Sequence, residues 1–129
     1  MGWLLIWATT AQANMRFYSL VQQMCKNYNV TVSGEQMKLE GLEGDNPTFH
    51  LIIRSRPRNN YEQVLAIGYI AAGQANAQTN LGVKTVRVTV IIPNTDGRQI
   101  SSEADIALVD QMRLGKIKPS EFIRELMFY

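Results

Sequence analysis

One cysteine and one histidine occur in the 129 residues of this chain. The lone Cys25 excludes an intramolecular disulfide framework, and with His50 the only imidazole every Cys/His pattern for structural zinc is missing. Charge of one sign is also scarce. Thirteen Lys and Arg stand against eleven Asp and Glu, a formal +2, which gives no strong signal for a nucleic-acid partner. No apolar run reaches the roughly 20 residues a bilayer span needs: residues 3–8 are too few, and residues 64–73 run on into Gln74, Asn76 and Gln78. Glycine-rich phosphate loops and other cofactor motifs are lacking, so no cofactor and no metal are expected. Internal repeats, low-complexity segments and linkers are absent too.

What remains is an ordinary globular composition, 46% apolar and 19% charged, in a chain long enough to bury one core without cross-links. Its first stretch stands apart. Residues 2–13 carry no charged side chain, both tryptophans (Trp3 and Trp7) lie there, and Ala11-Gln12-Ala13 has the A-x-A form that a signal peptidase accepts. The expectation is an export signal over residues 1–13, no positive n-region preceding it, and a single domain over residues 14–129. Asn14 then reads as the cap of a new helix. The protein would be periplasmic or extracellular, or cytoplasmic if the segment is retained.

Beyond Asn14, Phe17, Leu20, Val21, Met24, Cys25 and Tyr28 recur at spacings of three and four, the stripe of a helix with one face to bury. Val30 and Val32, then Met37 and Leu39, read as a short hairpin across Ser33-Gly34-Glu35-Gln36. A polar loop follows. Phe49, Leu51 and Ile53 share one face of the next strand, and Thr48, His50, Ile52 and Arg54 the other. Asn59 and Asn60 precede a long helix that has no charge between Glu62 and Lys84, and whose Gly68, Ala71, Ala72 and Ala75 would let it approach a sheet closely. Val86, Val88 and Val90 mark an alternating strand, and Asp96-Gly97 a turn into the short return strand RQIS. Ser102 reads as the cap of a helix burying Ile106, Val109 and Met112. Gly115 ends it, and Pro119 opens a last helix with Phe122, Ile123 and Leu126. The fold class expected is α+β: a single-layer antiparallel sheet of four to five strands packed by helices, in the order α-β-β-β-α-β-β-α-α.

Three constellations bear on function. Counted from Asp110, Gly115 and Glu121 fall at positions 6 and 12 of a calcium loop, but Met112, Leu114 and Lys118 occupy positions that need oxygen ligands, so a helix stop and restart explains the stretch without metal. Arg54, Arg56 and Arg58, spaced by two ahead of a helix N-terminus, would suit phosphate, sulfate or a carboxylate on a partner. Cys25 lies on the apolar stripe of its helix, which puts it in the core, and the strand parity of His50 puts it outside; this argues against a catalytic dyad, and no residue is assigned a catalytic role. The leading expectation is therefore a small exported, non-catalytic domain that binds a protein partner or associates with itself as a homodimer. Phe17, Tyr18, Phe122, Phe128 and Tyr129 are its candidate interface. An anion-binding module using the three arginines is the first alternative, and a small hydrolase-like enzyme the second.

Overall fold

The computed structural model describes residues 2–55, 60–93 and 96–129, with side chains from Gln12 onward. Helix α1 (Gly2–Asn27) is continuous through Asn14, so Asn14 is not the cap of a new helix here. Its inner stripe matches the apolar periodicity: Phe17, Val21 and Cys25 are fully buried. The helix ends where Asn29 adopts a left-handed φ of 62°, a conformation that asparagine tolerates better than most residues.

Val30 and Val32 are buried, yet they form no strand. A 3-10 turn over Gly34–Gln36 leads instead into β1 (Met37–Glu40). The anticipated hairpin therefore has one arm, because the Gln22 side-chain amide donates to the Val32 carbonyl and takes the place of a strand neighbour. β1 pairs antiparallel with β2 (Thr48–Arg54).

Helix α2 (Tyr61–Thr79) starts at Asn60, whose side chain accepts the Glu62 N–H at 2.9 Å. It returns the chain to the beginning of the sheet, so β3 (Thr85–Ile91) lies parallel to β2, with Thr48 opposite Thr85 and Arg54 opposite Ile91. The sheet is consequently mixed rather than antiparallel. α2 packs against α1, the sheet, α3 and α4, which accounts for its uncharged sequence. A Cβ on Gly68 would sit 3.0 Å from Ile53 Cδ1 and 3.3 Å from Leu51 Cδ2 and Val88 Cγ1, so the absence of a side chain lets this helix rest directly on the two central strands.

β4 (Gln99–Asp105) pairs antiparallel with all of β3 and is seven residues long, not a short return. Ser102 is inside it rather than capping a helix: fully buried, it donates to the Val88 carbonyl at 3.1 Å and shares a 2.8 Å hydrogen bond with the Tyr69 hydroxyl. Helices α3 (Ile106–Arg113) and α4 (Pro119–Glu125) follow, with Gly115 at φ 78° between them. After Leu126 the chain adds β5 (Met127–Phe128) antiparallel to β4, a strand the sequence reading did not anticipate. The five strands run in sequence order. One sheet face carries Phe49, Leu51, Ile53, Val86, Val88 and Val90 into the core under the helices. Lys38, His50, Arg87 and Glu103 stand in one row on the other face.

Candidate functional site

The sheet's two outer edges differ. At β1 the outward residues are Lys38 and Glu40, whose side chains approach to 3.8 Å, and charge of this kind discourages a strand from adding to an edge. At the opposite edge β5 carries Met127 and Phe128, 64% and 50% exposed, followed by Tyr129 at 68%. It covers little of β4: Phe128 lies opposite Ser102 and Met127 opposite Glu103, with one further bond from the Tyr129 N–H to the Ser101 carbonyl. Sheet parity puts Phe128 on the helix side and Met127 on the open side.

Beneath Phe128 is an apolar groove of about 500 Å³, lined by Tyr61 and Leu65 of α2, Ile100 of β4, and Ile123 and Leu126 at the end of α4, with Glu62 and Arg124 in its wall. It adjoins a second hollow of about 290 Å³ between α2 and α4, reaching Tyr28 and sharing Glu62 and Ile123. The lining pairs one acidic with one basic residue, so the groove favours neither sign of charge.

Of the anticipated interface residues, only Phe128 and Tyr129 come together on this surface. Phe17 and Phe122 are fully buried, since each lies on the inner stripe of an amphipathic helix: Phe17 packs its ring against Phe49 at 4.7 Å, and Phe122 packs against Tyr69 at 5.0 Å. Tyr18 is half-buried, its hydroxyl accepting the Leu39 N–H at 3.0 Å. Tyr61, Leu65 and Ile100 were not foreseen. The signal for the strand was present in Met127-Phe128-Tyr129, a β-favouring run directly after a helix.

Arg54 is exposed at the end of β2 and shares a shallow hollow with Glu35. Arg56 and Arg58 lie outside the described residues, as does Asn59. On the open face Lys38, Arg54 and Arg87 are balanced by Glu40, Glu103 and Asp105, and Arg87 Nε donates to Glu103 at 2.6 Å. Among the described residues, no three His, Cys, Asp or Glu side chains are grouped as a metal ion would require, and no helix is long and apolar enough to cross a membrane. In the calcium-like stretch, the Asp110 carboxylate accepts from Arg113 Nε at 3.1 Å.

The sheet separates Cys25 from His50. Cys25 is buried in the core, and burial pushes its thiol up to about 11, which keeps it protonated and inert. His50 is on the open face, where Nε2 lies 3.1 Å from Thr89 Oγ1, itself 3.2 Å from Ser101 Oγ. Thr89 is 5% exposed and Ser101 half-buried. Desolvation holds the imidazole below its ordinary value, with Arg87 and Lys38 acting in the same direction and Glu40 against it. A lowered folded-state value means that the unfolded chain takes up the proton first. Stability should then fall as pH drops below about 6.5 and level off once the folded form is protonated as well. Urea midpoints at pH 7.5 and pH 5.5 should differ less for His50→Asn than for the parent; an identical pH response in both would refute this.

Comparison with family models, curated proteins and solved structures finds no match to this chain.

Proposed function

We propose that this protein is a small non-catalytic binding domain that associates with a second copy of itself through the β5 edge. The observation carrying this reading is the contrast between the two sheet edges: β1 is charged, whereas β5 offers Met127, Phe128 and Tyr129 to solvent beside an apolar groove. An unprotected edge strand is a template for another strand, and two identical edges meet antiparallel about a two-fold axis. Such a contact must be complementary to itself. The uncharged β5 meets its copy without repulsion, and a groove holding one Glu62 and one Arg124 faces a copy with the opposite order of charges. The near-neutral chain adds little long-range repulsion.

Light scattering coupled to size exclusion over a concentration series should show a dimer. In Phe128→Glu, two carboxylates would meet at the axis, and dissociation should strengthen at least roughly a hundredfold while the far-ultraviolet circular dichroism is preserved. A parent that stays monomeric at high micromolar concentration would remove the reading, as would a Phe128→Glu dimer of unchanged affinity.

A further inference from the structure

We infer that Asn14 is the N-cap of α1 in a processed form of this protein, produced by hydrolysis of the Ala13–Asn14 peptide bond. In the uninterrupted helix the Asn14 side-chain oxygen is buried and accepts no hydrogen bond, alone among the buried side-chain polar atoms of the described residues. An unmet buried acceptor is unfavourable, and asparagine is a poor residue for a helix interior. The same atom suits a helix start. Once the chain begins at Asn14, the N–H groups of Met15, Arg16 and Phe17 lose the carbonyls of residues 11–13, and an N-cap oxygen accepts from the second or third residue of the helix. Hydrolysis would thus exchange an orphaned acceptor for a satisfied one.

One further observation, from the sequence, agrees. Ala11 and Ala13 place small side chains at the two positions that a signal-type peptidase reads. Water is the co-reactant: its oxygen joins the Ala13 carbonyl carbon to give a carboxylate, the C–N bond breaks, and Asn14 leaves as an amine that takes up a proton. No oxidation is involved. The new ammonium opposes the positive end of the helix, a term smaller than the capping bond and screened by salt. The inference is independent of the β5 contact.

The full chain, produced in a bacterial host with an intact export pathway, should yield an exported species whose intact mass begins at Asn14 and which lacks tryptophan fluorescence, because Trp3 and Trp7 are released. Ala13→Arg should accumulate the uncut chain. The diagnostic measurement is a change of sign: Asn14→Ala should lower the melting temperature of the exported form, where it removes a cap, and raise that of the uncut Ala13→Arg chain, where it removes an orphaned acceptor. An exported product that retains Trp3, a different N-terminus, or an Asn14→Ala shift of the same sign in both forms would each overturn the inference.

Discussion

Phe49→Ala should destabilise the domain by about 3–5 kcal/mol, the range for deleting a fully buried phenyl ring and leaving the cavity partly open. Phe49 is at the centre of the contact between α1 and the sheet: its ring meets Phe17 edge-on at 4.7 Å and lies 6.5 Å from Tyr18. Phe17 and Tyr18 also meet at 88°, so the three rings support one another and alanine removes the shared member. With total stability of about 5–15 kcal/mol expected of a domain, the melting temperature should fall on the order of 10–20 °C. Thermal and urea unfolding followed by circular dichroism measure this directly. A loss under about 1 kcal/mol would mean that α1 does not rest on the sheet as described.

Tyr69→Ala should have an effect of similar size, about 3–5 kcal/mol, and Tyr69→Phe only about 1 kcal/mol. Tyr69 is fully buried on α2, its ring against Phe122 of α4 at 5.0 Å and its hydroxyl 2.8 Å from Ser102 Oγ in β4. The two variants separate the ring from the hydroxyl. Phenylalanine keeps the packing and leaves Ser102 its bond to the Val88 carbonyl, so only one hydrogen bond is lost. Alanine opens a cavity where α2, α4 and the sheet meet. Because α4 leads directly into Leu126 and β5, the alanine variant should also weaken the proposed self-association through β5, which phenylalanine should spare. If both variants lost equal stability, the hydroxyl and not the ring would be the principal element of this junction.

Much of the fold was legible because periodicity reports which faces meet an apolar neighbour. The stripe of Phe17, Val21 and Cys25, the alternation of Val86, Val88 and Val90, and the stop and restart at Gly115 and Pro119 all depend on local residue choice. Gly68 was legible as a close approach, although its partners Ile53, Leu51 and Val88 were not. The errors share a cause. Val30 and Val32 alternate like a strand and are buried, but a strand needs a neighbour, and the Gln22 side chain occupies that place. Ser102 looks like a cap because a serine ahead of a helix usually is one; its burial against Tyr69 and Val88 depends on residues 33 and 14 positions away. Aromatic residues near the chain ends suggested an interface, yet Phe17 and Phe122 face inward while Phe128 and Tyr129 do not, a distinction made by the elements packed around them.

The sequence by itself determined the α+β class, the lack of a disulfide framework, the uncharged central helix, and the placing of Cys25 on an inward helix stripe and His50 on the outward face of a strand, since composition and spacing act within a few residues of chain. Only the tertiary structure decided that β2 and β3 run parallel, that Leu126 is followed by a strand, that one sheet edge is charged and the other apolar, and that the Asn14 oxygen is left without a partner. Each of these depends on which distant segments become neighbours, and a pairing partner or a buried acceptor exists only once the chain has closed on itself.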